Sequence, residues 1–148
     1  MWEAERQLIR KRIFFININY LKNLGGGYWH PRSIPSYPEL ISIGDNVTVC
    51  ADVKFFEHDI VHRMWNGNRA YTGPVINQYQ GEITIGDNSV IGGNSIILYN
   101  VKIGNDVLIS PNSFVNCDIP DHSIVFGNPC IIKHRENATK NYINRKVK

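Results

Sequence analysis

Residues Ile83 to Cys117 read ITIGDNSVIGGNSIILYNVKIGNDVLISPNSFVNC, and a shorter stretch, Ile41 to Phe55, reads ISIGDNVTVCADVKF and restates its opening. Sampled every sixth residue, the two give Ile43, Val49 and Phe55, then Ile85, Ile91, Ile97, Ile103, Ile109 and Val115, all aliphatic or aromatic. Four residues after each stand Val47, Val53, Asp59, Ser89, Ser95, Val101, Val107, Ser113 and Ile119, which are small or β-branched with the exception of Asp59. A period of six fits neither the 3.6 of a helix nor the strict alternation of a simple strand. It fits a short strand and a turn, three such units closing a triangular coil, with successive coils one strand spacing, about 4.8 Å, apart. Each unit then buries one side chain along the axis of a parallel β-helix. Gly44, Gly86, Gly92 and Gly104 directly follow their aliphatic residues, where the corner is expected to need backbone freedom.

The repeat keeps its phase from Ile43 to Ile85 although residues 61–82, VHRMWNGNRAYTGPVINQYQGE, show no sustained periodicity. They read as a loop thrown out from one corner, and loops of about 20 residues inside a compact domain are uncommon and often functional. The chain therefore divides into a flanking segment (1–40), a β-helix (41–133, with the loop at 61–82) and a basic tail (134–148). Residues 1–24 admit two readings: an amphipathic helix through Leu8, Ile9, Ile13, Ile16, Tyr20 and Leu24, or a strand on the alternation of FFININY. Pro31, Pro35 and Pro38 make the approach to the first coil irregular. Beyond Ile132 the tail reads as helical or frayed.

A length of 148 residues fits one domain. No apolar run approaches the roughly 20 residues of a membrane span, and the amino terminus lacks a signal-peptide pattern, so a cytoplasmic protein is expected. Cys50, Cys117 and Cys130 are odd in number and far apart in sequence, without a CxxC pair, and are expected to be reduced and structural. The net charge of +3 is mild and the basic residues gather at the two ends. They lack the interleaved aromatics of a nucleic-acid site, and none is expected.

Where the repeat breaks off, Glu57, His58 and Asp59 stand together as EHD, and His62 follows four residues after His58. A histidine between two carboxylates is costly inside a coil unless it faces a cleft. An imidazole near neutrality can take a proton from a hydroxyl nucleophile, with Asp59 or Glu57 orienting the ring; the sequence leaves that choice open. In the loop, Trp65, Tyr71 and Tyr79 offer flat faces, and Arg69, Asn66 and Asn68 offer hydrogen-bonding groups suited to a sugar. Packing within the loop accounts for the aromatics equally well. His30, His122 and His134 read as surface residues.

On its [LIV]-G-x-x-[STAV]-x repeat, its EHD and its closing IPDHSIVFGNPCIIKHR, the chain resembles the hexapeptide-repeat acyltransferases, most of all the small sugar and polysaccharide O-acetyltransferases. That resemblance implies an all-β, left-handed parallel β-helix, a handedness contrary to the usual crossover rule. It further implies acetyl-coenzyme A as donor and no metal, and a homotrimer with the donor in a groove between subunits. Many members carry THD where this chain has EHD, and the match implies that His58 is the catalytic base. Gly93 is implied as the source of an oxyanion donor, and Gly93, Pro111 and Asn116 as backbone contacts to the coenzyme. Lys133 and Arg135 are candidates for its phosphates. The acceptor is expected to be a hydroxyl of a saccharide or saccharide precursor.

His62 is the competing base. N-acetylation of an amino-sugar nucleotide is a rival reaction, and a trimeric scaffold without activity is the rival from outside enzymology. A zinc hydratase on the same coil needs three suitably spaced histidines, and the His58-x-x-x-His62 spacing does not match.

Overall fold

The computed structural model describes residues 28–29 and 35–134. The readings for residues 1–24, His30 and Arg135 lie outside them. Among the described residues, twelve short strands form three sheets. The first full coil is β2 (Ile41–Ile43), β3 (Thr48–Val49) and β4 (Lys54–Phe56), and the second is β5 (Ile83–Ile85), β6 (Val90–Ile91) and β7 (Ile96–Leu98). The third is β8 (Val101–Ile103), β9 (Leu108–Ile109) and β10 (Phe114–Val115). One sheet has the order β2-β5-β8 and another β10-β7-β4, each wholly parallel, so every coil contributes one strand per side. Ile119 bridges to Ile103 and begins a partial fourth coil, continued by β11 (Ser123–Phe126). The architecture is the parallel, three-sided, left-handed β-helix expected from the repeat and its family resemblance.

Equivalent residues of adjacent coils are 18 apart, as Asp87 and Asn105 are, whereas Asp45 and Asp87 are 42 apart. The excursion between β4 and β5 therefore adds 24 residues without disturbing register: Ile41 pairs with Ile83 and Ile83 with Val101. Eight of the nine residues in the sixth-residue series are buried, and Ile43 packs against the core from a half-buried position. Fully burying a side chain of this size contributes roughly 1.5–3 kcal/mol, which is why one apolar residue per short strand suffices to hold each side in place.

The corners correct the reading of the glycines. Left-handed backbone falls on Asn46, Asp52, Asn88, Asn94, Asn100, Asp106 and Asn112, with φ between 53° and 60°. Asn and Asp tolerate this conformation better than most residues with a Cβ. Gly44, Gly86 and Gly104 have no left-handed φ and are required for room. A Cβ on Gly44 would lie 2.2 Å from Asp87 Oδ1, and one on Gly104 the same distance from Asp121 Oδ1. Those carboxylates accept the N–H groups of Asp45 and Asn105, each at 2.8 Å, and Asn105 Oδ1 likewise accepts the Asp87 N–H. The Gly-Asp pair of IGDN thus links one coil to the next.

The start of the tail departs from expectation, and two other features were not read from the sequence. Tyr28–Trp29 forms β1 and joins the remaining sheet, β1-β3-β6-β9-β11-β12, in parallel with β3. Ile131–His134 forms β12, antiparallel to β11, so the start of the tail is a strand that closes the coil. Cys117 and Cys130, distant in sequence, are brought to a sulfur–sulfur distance of 3.8 Å by that closing hairpin.

Candidate functional site

The chain leaves the first coil at the end of β4, and the inward alternation Val53, Phe55 continues to Glu57, whose side chain is wholly buried. Asp59, the exception in the repeat, is half-buried, so the inward carboxylate is Glu57. Residues 57–59 then form a narrow antiparallel neck with residues 79–81. His58 bridges Gln80, the Asp59 N–H donates to Tyr79 O at 3.1 Å, and the Gly81 N–H donates to Glu57 O at 2.9 Å. The excursion opens with a helix, α1 (Val61–Asn66), where a loop was expected, and Asp59 Oδ1 accepts the Val61 N–H at 3.2 Å at its start.

His58 keeps 19% of its side chain exposed. Its ring meets the Tyr37 ring edge-on, with centroids 5.1 Å apart and planes at 83°. Its Nδ1 lies 4.0 Å from Glu57 Oε1, is buried and has no hydrogen-bond partner. Glu57 Oε1 accepts the Tyr37 backbone N–H, while Glu57 Oε2 is buried without a partner. Tyr37 also donates its hydroxyl to Gln78 Oε1 at 3.3 Å, and Gln78 Nε2 donates to Asp59 O at 3.2 Å. Tyr37 therefore ties the approach segment, Glu57, His58 and the neck together. Sequence reading passed over it because the contact spans 20 residues and no local motif marks it.

An open cavity of about 810 Å³ runs from Pro35 and Ser36 along the outer face of the β4-β7-β10 sheet. His58 and Asp59 line it at the neck, and Phe56, Ile96, Leu98 and Phe114 form its apolar floor. Among the described residues, the candidates so gathered are His58 and Asp59, with Glu57 beneath them. His62 sits half-buried on α1, its Nδ1 also buried without a partner, and is not part of the cavity wall.

The remaining candidates lie elsewhere. Gly93 and Pro111 occupy one corner on successive coils, where the Asn112 N–H donates to Gly93 O at 3.0 Å and the Asn94 N–H to Ala51 O at 2.9 Å. Asn116 is exposed just beyond β10. Lys133, on β12, holds its ammonium 5.4 Å from the centre of the Phe126 ring. In the excursion, Asn66 clasps Ile76 from both sides: its Nδ2 donates to Ile76 O at 2.7 Å and its Oδ1 accepts the Ile76 N–H at 2.9 Å. Trp65 and Tyr71 pack against each other at 6.0 Å, the Tyr71 hydroxyl donates to Pro74 O at 2.9 Å, and Arg69 is exposed. Asn66 and Tyr71 thus shape the loop. His122, exposed as expected, pairs with Asp106 at 3.2 Å, and His134 is exposed nearby.

Residues 82–117 match the bacterial transferase hexapeptide family (six repeats). The chain is 31% identical over 105 residues to galactoside O-acetyltransferase of Escherichia coli (strain K12), a match covering 69% of this chain and 48% of that protein. It superposes on the crystal structure of a maltose O-acetyltransferase from Clostridium difficile 630 with a TM-score of 0.53 and 33% identity, over 64% of this chain and 47% of that one. A hexapeptide-repeat-containing acetyltransferase from Vibrio cholerae O1 biovar eltor, solved with acetyl coenzyme A, gives a TM-score of 0.51 at 25% identity, over 72% of this chain and 67% of that one. The chain spans about half the length of the curated relatives it matches. With its coil, its repeat and these likenesses, the chain carries the bacterial transferase hexapeptide repeat and is similar to the hexapeptide-repeat acetyltransferases.

Proposed function

We propose that this chain transfers an acetyl group from acetyl-coenzyme A to a hydroxyl of a sugar or polysaccharide precursor, with His58 as the general base. The observation that carries the reading is the pair of buried, unpartnered side-chain atoms, His58 Nδ1 and Glu57 Oε2, where His58 lines the cavity and Glu57 lies beneath it. Leaving such atoms unpaired costs about 1–3 kcal/mol each, and catalytic hydrogen bonds are often long before substrate arrives.

The chemistry follows from that placement. A sugar hydroxyl is a weak nucleophile at neutral pH, and His58 takes its proton as the oxygen attacks the thioester carbonyl. Glu57 is the carboxylate nearest the ring, 4.0 Å from Nδ1, and is proposed to take Nδ1–H as the two draw together on substrate binding, leaving Nε2 to act as base; its charge then favours the imidazolium. Asp59 instead begins the helix. Gly93, whose N–H donates to no backbone carbonyl among the described residues, is the proposed oxyanion donor. Pro111 and Asn116 are proposed to line the donor's path, and Lys133 and Arg135 to meet its phosphates. Trp65, Asn66, Arg69 and Tyr71 form the proposed acceptor side.

The apolar outer sheet face of Phe56, Ile96, Leu98 and Phe114 favours burial against other copies, and a homotrimer is the proposed assembly. The catalytic body is residues 41–133. Among the described residues no helix is long and apolar enough to cross a membrane, and we place the activity in the cytoplasm.

The test is release of free thiol from acetyl-coenzyme A with a panel of mono- and oligosaccharides beside amino-sugar analogues. Hydroxyl-dependent release supports the reading. Release with amino sugars alone would make the enzyme an N-acetyltransferase, and no release, together with no coenzyme A binding by calorimetry, would leave a scaffold.

A further inference from the structure

Cys117 follows β10 at an exposed corner of the third coil, and Cys130 lies in the turn between β11 and β12, half-buried against the core. Only the reversal of the chain into the closing hairpin brings them together, with their sulfurs 3.8 Å apart in van der Waals contact. A disulfide needs about 2.05 Å, so the sulfurs must approach by roughly 1.8 Å, which small side-chain and turn movements at an exposed corner can supply. Cys50 is not part of this pair. Asp118 adds a carboxylate beside Cys117.

We propose that Cys117 and Cys130 form a reversible dithiol–disulfide site, oxidised by low-molecular-weight disulfides, that staples the closing hairpin to the third coil. In the first step one thiolate of the pair attacks a small disulfide, R–S–S–R; its S–S bond breaks, RS⁻ leaves and a mixed disulfide forms. The second protein thiolate then attacks the protein sulfur of that mixed disulfide and expels the second RS⁻. Two protein thiols lose two protons and two electrons, and one R–S–S–R becomes two RSH. Desolvation, the adjacent Cys130 and then Asp118 push the Cys117 thiol above its ordinary value. The staple would join segments 13 residues apart, fixing β11 and β12 against β10 in a way the antiparallel ladder alone does not. Neither sulfur lines the cavity, and the pairing is argued from the hairpin geometry alone.

The experiment treats the reduced, folded full chain with glutathione disulfide, quenches with an alkylating reagent, counts free thiols and maps linked peptides without reduction. The expected result is loss of two of the three alkylatable cysteines, a Cys117–Cys130 peptide within one chain and no retained glutathione, all reversed by dithiothreitol. Cys50→Ser should behave as native, whereas Cys117→Ser should stop at a glutathione adduct on Cys130. Oxidised native protein should melt higher than reduced protein, and Cys117→Ser should show no such rise. A stable glutathione adduct on native protein, a link through Cys50, or links only between chains would overturn the proposal. A control in denaturant separates pairing imposed by the fold from pairing by chance: a Cys117–Cys130 preference unchanged on unfolding would also overturn it.

Discussion

In the coils, Ser89 and Ser95 are wholly buried, yet each hydroxyl is engaged on both sides. Ser89 Oγ lies 3.2 Å from the Asp87 carbonyl and accepts the Val107 N–H at 3.2 Å; Ser95 Oγ donates to Ser110 O at 3.1 Å and accepts the Ser113 N–H at 3.3 Å. At the neck of the excursion the opposite holds. Among the described residues, the buried side-chain atoms without partners are Glu57 Oε2, His58 Nδ1 and His62 Nδ1, all within one short stretch. Among the described residues the coil leaves no buried side-chain polar atom unpaired, whereas the neck leaves two of its own open beside a cavity. Rigid support with an unsatisfied polar cluster at its edge is the division of labour expected of a binding or catalytic site on a scaffold.

That contrast can be broken first in the coil. Ile97 is wholly buried at the centre of β7, and Ile97→Ala should lower stability by about 2–5 kcal/mol. Urea denaturation measures the loss, and turnover per folded molecule should stay near native because the cavity keeps its walls. A fall in turnover with intact stability would place function inside the coil and erase the distinction.

The neck is the second target. In Glu57→Gln the amide oxygen can still accept the Tyr37 N–H and stay the atom nearest Nδ1, but the charge that supports His58 is lost. A charge-assisted hydrogen bond is worth about 1.5–3 kcal/mol, so turnover should fall by roughly 10–100-fold. The unfolding midpoint should hold, since a buried carboxylate with an orphan oxygen has been neutralised. Asp59→Asn should change turnover much less; the reverse ranking would transfer the orienting role to Asp59.

The smallest effect belongs to the corners. Asn94 sits at φ 58° and donates Nδ2–H to Asn112 Oδ1 at 2.6 Å. Asn94→Ala should cost about 1–2 kcal/mol, from a left-handed backbone that alanine resists. Asn94→Gly should recover most of that cost in thermal melts, and an equal loss in both variants would assign the effect to the side-chain hydrogen bond.

The coil was legible because each short strand carries one obligatory inward residue, so Val49, Ile85, Ile91 and Ile97 declare the period without help from distant contacts. The phase shared by Ile43 and Ile85 likewise exposed the excursion, and the break at Glu57, His58 and Asp59 marked its neck. What failed was whatever depends on the neighbouring coil or on chain reversal. Gly44 reads as a flexible corner until Asp87 of the next coil is seen to need its space. Glu57 and Asp59 cannot be ranked until the inward alternation is seen to run one step past Phe55. Tyr37 reaches the site across 20 residues, and Cys117 meets Cys130 only because β12 turns antiparallel where a frayed or helical tail was read.

The most direct test measures turnover and unfolding together for His58→Ala, beside native protein and His62→Ala, with acetyl-coenzyme A and the preferred acceptor. The account predicts that His58→Ala loses about 10²–10⁴-fold in turnover with its unfolding midpoint unmoved, while His62→Ala stays close to native. Near-native turnover in His58→Ala, or a loss confined to His62→Ala, would contradict it and move the base from the neck to the helix.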